Sequence, residues 1–463
     1  MIRITAALAA GVAAAGLLTA PAFAAPHTAS SLDWKPCKLK PTDADGAECA
    51  TLRLPVDWAR PDGPKFDLAL ARRKATGARI GNLVFGPGGP GDSGREKVIS
   101  TPTSRFSPEM LKRFDVVSFD PRGIGGSNPI TCSADLLKQR PLPMLKNQAD
   151  FDANLAYNRK LAADCRAHTP NGIYDHADTS SMAKDLDAIR SALGDDKLTY
   201  HGSSYGTLLG QQYAEQHPDR IRAMVLESVI DRSSPNTHAF LKTSAITAQD
   251  SFNQFVKWCE QAKCDPDIRA TWKKKLATAE PSELFYLVNK IAFKSLYGPD
   301  WPGLAKAITQ PAAQAEQAAA PAPTATDPTQ VFCSDWNLPI RDYRDYSRQV
   351  RRMTKAAPDL PYLLPLQMTL ACQGSKAINP QHRLRIGKTP QILLINSLHD
   401  PATAYPWAVS VSRQIGRQGI LLTYDGAGHG SSDSGPCMQN ATDDYLINLT
   451  TPARGTHCPA VQS

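Results

Sequence analysis

A serine with glycine two residues away on either side stands at Gly202-Ser203-Ser204-Tyr205-Gly206. The run before it, Leu198-Thr199-Tyr200, is β-rich, and the run after it, Thr207 to His217, is helical and followed by Pro218. A serine in a sharp strand-to-helix turn holds its hydroxyl clear of the sheet, and the residues two places away must be small for the turn to form. Such a hydroxyl can attack a carbonyl carbon. Being a weak nucleophile, it needs a base, and the base needs an orienting acid. On a sheet that carries this kind of elbow, acid and histidine follow the serine in chain order, in loops after later strands. Gln391 to Asn396 is β-rich and leads into Ser397-Leu398-His399-Asp400-Pro401. Gly419 to Tyr424 is β-rich and leads into Gly426-Ala427-Gly428-His429-Gly430. The expected triad is therefore Ser204, Asp400 and His429. Four other groups compete. His399 shares a loop with the acid, and one loop cannot easily supply both partners. His201 precedes the elbow on its strand. Asp231 follows an earlier strand, where some hydrolases carry the acid. Asp425 is near His429 in sequence but would have to fold back on it.

The second motif is Gly86-Pro87-Gly88-Gly89-Pro90-Gly91, after the apolar run Asn82 to Phe85. It matches the dinucleotide fingerprint G-x-G-x-x-G formally. Pro90, however, has no N–H where a phosphate cradle needs a donor, and Asp92-Ser93-Gly94 does not open a convincing helix. The better reading is an oxyanion loop, in which glycines let the backbone approach a tetrahedral intermediate. The expected oxyanion donors are the N–H groups of Gly89 and Tyr205.

These loops need strands and helices to position them. From Gly81 onward, β-rich runs alternate with helical ones: Phe114 to Phe119, Ser181 to Leu193, the elbow and its helix, then Ala223 to Leu226. That alternation predicts a mostly parallel α/β sheet. From about His238 to Ile386 the text turns helical and polar, and strands resume at Gln391 and Gly419. The stretch Gln310 to Gln330 is rich in Ala, Pro and Gln and reads as a flexible loop. The simplest architecture is one α/β domain interrupted by a helical insertion.

Composition narrows the class. The 463 residues are 42% hydrophobic and 21% charged, a globular balance that excludes collagen-like and fully disordered chains. No apolar run downstream of the N-terminus approaches the roughly 20 residues of a membrane span. Residues 1–24 read as a signal peptide: Arg3, an apolar stretch from Ile4 to Ala20, and a small-x-small site at Ala22-Phe23-Ala24. The formal charge is +8 at pH 7, one less without Arg3, and no Lys/Arg block is dense enough to read as a nucleic-acid face. Arg341, Arg344, Arg348, Arg351 and Arg352 cluster on one expected helix beside Asp342 and Asp345 and read as a solvated face. The ten cysteines suit an exported protein, and they fall into local neighbours: Cys37–Cys49, Cys132–Cys165, Cys259–Cys264, Cys333–Cys372 and Cys437–Cys458. Neither C-x-x-C nor H-E-x-x-H occurs, so no metal site is expected.

Gly88-Gly89-Pro90-Gly91, Asp120-Pro121-Arg122-Gly123 with Gly126-Ser127, Gly202-x-Ser204-Tyr205-Gly206-Thr207, Asp400 and Gly428-His429 occur together. In that combination the chain resembles the secreted actinobacterial tripeptidyl aminopeptidases and related proline iminopeptidase-like α/β hydrolases, over nearly all of the mature chain. Pro87, where iminopeptidases usually carry His, looks more like the tripeptidyl branch. The resemblance implies an α/β-hydrolase fold with a helical cap. Residues 25–237 would be the first part of the core, 238–386 the cap insertion and 387–463 the C-terminal part of the core. It implies a secreted serine exopeptidase that releases tripeptides, or other short units, from peptides with a free N-terminus. Its partners would be such peptides, with no nucleic acid, no membrane and no cofactor. An acid must then hold the substrate's ammonium group. Asp335, in Cys333-Ser334-Asp335-Trp336, looks like the Cys-x-Asp segment of such caps and is the expected anchor, with Glu260 as the other candidate. The same triad would also serve a secreted carboxylesterase or lipase-like hydrolase, which is the alternative reading.

Overall fold

The computed structural model describes residues 32–310 and 324–461. The expected signal peptide and most of the Ala/Pro/Gln stretch lie outside the described residues. The main sheet has ten strands: β1 (Lys35–Pro36), β2 (Ala47–Pro55), β3 (Lys65–Arg73), β4 (Gly81–Gly86), β5 (Phe114–Phe119), β6 (Leu198–Ser203), β7 (Ile221–Glu227), β8 (Ile392–His399), β9 (Gly419–Ala427) and β10 (His457–Cys458). Their spatial order is β1-β2-β3-β5-β4-β6-β7-β8-β9-β10. The contacts β1–β2, β2–β3 and β3–β5 are antiparallel, and every contact from β5 to β10 is parallel. The expectation of a mostly parallel sheet holds from Gly81 on. The antiparallel hairpin β2–β3 ahead of it was not read from the sequence. Its strands carry charges such as Arg53 and Asp67, which are exposed beside buried neighbours.

The central strands are buried on both sides, because side chains alternate faces with a period of two. Leu83, Phe85, Val116, Val225, Leu393 and Ile395 face one core, shared with Val98, Met110, Met438 and Leu446 from helices Gly94–Ile99, Pro108–Arg113 and Pro436–Asn448. Val84, Val117, Met224, Leu226, Ile392 and Leu394 face the other, covered by helices Thr179–Ala192, Tyr205–Gln216 and Tyr405–Ile415. This second core runs on into the insertion without a break.

Between β7 and β8 the chain is helical: Thr237–Ala262, Ile268–Thr278, a run from Pro281 to Tyr297, Trp301–Thr309, Thr329–Asp335, Tyr343–Ala356 and Leu364–Ala371. One earlier helix joins them. Gln148–His168, which the sequence reading left with the core, packs against the last two: Asn154 and Asn158 both donate to Leu370 O, and Gln148 Oε1 accepts from Tyr343 N at 3.0 Å. A short antiparallel ribbon, Thr131–Ser133 with Thr324–Thr326, ties the same region to the insertion. The five disulfides join the neighbours expected from the sequence, and among the described residues no cysteine is free.

Candidate active site

Ser204 sits between the end of β6 and the helix Tyr205–Gln216, with φ 54° and ψ −119°. A non-glycine residue holds that conformation only where its surroundings fix it. Here Ser204 N donates to Glu227 O at 2.9 Å, and Thr207 donates to Ser204 O through both its N–H and its hydroxyl. The motif glycines are explained by space. A Cβ on Gly206 would lie 2.3 Å from Gly86 O, and one on Gly202 would lie 2.5 Å from Gly206 O. The elbow turn and the glycine-rich loop after β4 are thus packed backbone on backbone. That loop also reaches the nucleophile, since a Cβ on Gly88 would lie 2.9 Å from Ser204 Cβ. Gly89 follows with φ +105°. Tyr205 N–H is the first of its helix, at the positive end of the helix dipole, and has no carbonyl one turn back within the helix. Gly89 and Tyr205, the two expected donors, therefore stand on the two backbones that flank Ser204.

Asp400 lies in the turn after β8 and His429 in the turn after β9. The structure brings them together: His429 Nδ1 is 2.9 Å from Asp400 Oδ2 and 3.0 Å from Oδ1. Asp400 is fully buried, and it also accepts from Ala402 N, Thr403 N and the Thr403 hydroxyl at 2.7 to 2.8 Å. A buried carboxylate with this many donors is held in place. With Nδ1 committed to Asp400, the other ring nitrogen is left for chemistry. His429 Nε2 is buried and has no hydrogen-bond partner among the described residues. No hydrogen bond joins it to Ser204 Oγ. In enzymes of this kind that contact is often long until substrate seats.

One residue of the insertion holds the histidine from the other side. Tyr297, at the end of the run Pro281–Tyr297, packs its ring on the His429 imidazole with centroids 4.1 Å apart. Its carbonyl accepts from His429 N at 2.7 Å. Two residues on, Pro299 lies against Gly428, where a Cβ would be 2.7 Å from its ring. Tyr297 is 37% exposed. Burial, reinforced by the charges of Asp400 and Asp92, pushes the phenol well above its ordinary pKa, so it stays a neutral donor. Sequence reasoning missed Tyr297, because nothing in the helical text of the insertion sets it apart. Tyr297→Phe keeps ring and carbonyl, whereas Tyr297→Ala frees the imidazole. The alanine variant is expected to lose about tenfold in kcat relative to the phenylalanine variant, from misplacement of the base alone. Steady-state kinetics on one chromogenic substrate checks this.

The competing groups have other partners. His399 Nδ1 pairs with Asp250 at 2.7 Å, and His201 Nε2 pairs with Glu227 at 3.1 Å. Asp231 accepts from Ser233 N and Gln414, and Asp425 pairs with His457 near the C-terminus. Glu260 is exposed near the end of helix Thr237–Ala262.

Asp335 requires a correction. The expected ammonium anchor is 2% exposed, and its oxygens are already taken. Oδ1 accepts from Thr179 N, the Thr179 hydroxyl and Asn379 Nδ2 at 2.9 to 3.0 Å, and Oδ2 accepts from the Tyr205 hydroxyl at 2.8 Å. The carboxyl clamps the helix Thr329–Asp335 to the elbow helix and presents no oxygen to a substrate. Burial pushes its pKa up to about 6, and Asp178 adds to that; the Thr179 N–H, Arg232 and the Tyr205 hydroxyl pull it back. A carboxyl raised in the folded state binds its proton more tightly there than when unfolded. Its contribution to stability is therefore full below the unfolded value near 3.8 and is lost as the pH rises through about 6. Asp335→Asn is expected to remove that slope. The difference between wild type and variant in denaturant midpoint, followed from pH 4 to 7, measures it.

Comparison with known proteins places the whole arrangement. A family profile described as alpha/beta hydrolase fold matches residues 81–436. The chain is 32% identical over 489 residues to "Serine protease Hip1" of Mycobacterium tuberculosis, covering 94% of this chain and 92% of that one. It is 29% identical over 469 residues to "Tripeptidyl aminopeptidase" of Streptomyces lividans, covering 93% and 87%. It is 28% identical over 492 residues to "Carboxylesterase B" of Mycobacterium tuberculosis, covering 94% and 91%.

Proposed function

Because the chain belongs to the α/β-hydrolase fold family, we propose that it is a secreted serine exopeptidase that removes tripeptides from peptides with a free N-terminus. Ser204 Oγ attacks the scissile carbonyl carbon while His429 Nε2 takes the hydroxyl proton. Asp400 holds the imidazole through Nδ1 and stabilises the imidazolium that forms. The carbonyl oxygen, now negative, accepts from the N–H groups of Gly89 and Tyr205. The intermediate collapses, the C–N bond breaks, and His429 returns its proton to the leaving amine. Water then attacks the acyl-enzyme by the same proton relay and frees the short acid product. No cofactor enters these steps.

The observation that carries the exopeptidase reading is the seating of the insertion on the catalytic loop, through Tyr297 O to His429 N and Pro299 to Gly428. A cap fixed there suits a substrate that ends at the site rather than a chain that runs through it. The near full-length similarity to a protein named tripeptidyl aminopeptidase supports the same reading. The five disulfides support export, since they persist in an oxidising compartment. A decapeptide with a free N-terminus, followed by mass spectrometry, tests the register: a tripeptide and a heptapeptide should appear first. Release of single residues would contradict it.

A carboxylesterase is the second reading. What favours it is that Asp335 is spent on protein donors, which leaves the amine subsite without its expected acid. Turnover of short p-nitrophenyl esters with an inert decapeptide would decide for it.

A further inference from the structure

Sequence reasoning passed over the residues where β7 ends, Glu227 and Ser228. Glu227 is fully buried and carries a carboxylate that the proposed mechanism does not use. Its Oε1 accepts from Ser431 N at 2.8 Å and Ser432 N at 2.7 Å, in the loop that carries His429. Its Oε2 faces Arg105 and lies 3.1 Å from His201 Nε2. Its backbone carbonyl accepts from Ser204 N. Burial alone would raise the pKa of this carboxyl, but the Arg105 charge, His201 and the Ser432 N–H outweigh it and hold the group well below the usual range.

Ser228 continues the pattern. Its hydroxyl accepts from Gly430 N at 2.8 Å, the residue after His429, and its own N–H donates to Ile395 O on β8. The next residue, Val229, donates from N to Asn396 Oδ1 at 2.7 Å, and Asn396 Nδ2 reaches Thr403 O beside Asp400. Three successive residues thus bond to the loops of the serine, the histidine and the acid. Ser228 also has φ 56°, a left-handed conformation that glycine would take at no steric cost. A side chain kept at such a position points to work done by its hydroxyl.

We propose that Glu227 and Ser228 are positioning residues, which hold the His429 loop in register with Ser204 through the Glu227 carboxylate and the Ser228 hydroxyl. This rests on the roles assigned above to Ser204 and His429. The act is mechanical: four acceptor contacts from one strand end fix the distance between nucleophile and base, and Arg105 neutralises the buried charge they need.

The test turns on Ser228→Gly, with Ser228→Ala beside it. Glu227→Gln is less useful, because it leaves Arg105 buried without its counter-charge. The glycine variant relieves the left-handed strain while removing the acceptor of Gly430 N–H. If Ser228 served the fold alone, stability and activity would move together. As a positioning residue, its loss splits them. The expected result for Ser228→Gly is a melting temperature within about 3 °C of wild type, a kcat on a tripeptidyl-p-nitroanilide lower by about tenfold, and a KM within about twofold. The rate at which diisopropyl fluorophosphate labels Ser204 should fall by the same factor, and Ser228→Ala should match in rate while melting lower. Wild-type rates in both arms for Ser228→Gly would overturn the proposal. Labelling needs no peptide, so an enzyme that does not release tripeptides would fail the anilide arm and still report on Ser228 through the other.

Discussion

Ser204→Ala is expected to lower kcat by about 10⁵- to 10⁶-fold, with the melting temperature within about 3 °C of wild type. The loss is this large because the triad acts as a unit: without the hydroxyl, the Asp400–His429 pair has no nucleophile to deprotonate. Stability is spared because the hydrogen bonds that fix the elbow belong to the Ser204 backbone. Its N–H meets Glu227 O, and its carbonyl accepts from Thr207. Alanine keeps all of these and adds no bulk beside Gly88. Steady-state assays on a tripeptidyl-p-nitroanilide, with a thermal melt of the same preparation, measure both quantities. Retention of more than about one part in a hundred of the activity would mean that the nucleophile is another residue.

Arg122→Ala is expected to cost about 3 to 5 kcal/mol of stability. Arg122 is fully buried in the turn after β5, part of the Asp120-Pro121-Arg122-Gly123 motif. It grips Asp185 with two bonds, Nε to Oδ2 at 2.7 Å and a terminal nitrogen to Oδ1 at 2.6 Å. It also donates to the carbonyls of Val56 at 2.7 Å and His176 at 3.0 Å. The pair therefore joins three segments: the end of the β2–β3 hairpin, the 3-10 segment at Pro170–His176 and the helix Thr179–Ala192. Removing the guanidinium strands the buried Asp185 charge with, among the described residues, only Trp58 Nε1 as a remaining side-chain donor, at 2.9 Å. The penalty is the uncompensated charge, so Arg122→Met combined with Asp185→Leu should recover much of the loss. Denaturant titration of wild type, single and double variants reads this out. A single variant within about 1 kcal/mol of wild type would show that the pair is worth no more than a surface ion pair.

How much of this was legible in the sequence follows from how local each constraint is. The elbow is a five-residue steric problem, and its glycines announce it wherever it occurs. Asp400 and His429 could be named because each sits directly after a β-rich run in a loop with turn residues. The disulfides pair neighbours, so proximity in sequence was enough. Tyr297 and Glu227 work instead through contacts with the His429 loop, more than a hundred positions away. Nothing at their own positions marks them: Tyr297 ends an ordinary helical run, and Glu227 looks like the polar end of a strand. Asp335 failed for the opposite reason. Its local segment fitted an anchor, but whether an acid faces a cavity or four protein donors is decided by the packing of helix Thr329–Asp335 on Thr179 and Tyr205, which sequence does not display. The β2–β3 hairpin was lost because its alternation is diluted by charges. Helix Gln148–His168 was not singled out, because its partners lie some two hundred residues downstream.

The chain is a serine hydrolase of the α/β fold, and the central claim is that its site is built for a peptide's free N-terminal end. The most direct test is a pair of tripeptidyl-p-nitroanilides that differ only in N-acetylation, assayed side by side with Ser204→Ala as the blank. The account predicts that the free-amine substrate is cut and that its acetylated twin loses at least about a hundredfold in kcat/KM, because the insertion seated on the His429 loop suits a substrate that ends at the site. Equal turnover of the two would contradict it, and would make the enzyme a broad acyl hydrolase with no site for the substrate's ammonium group.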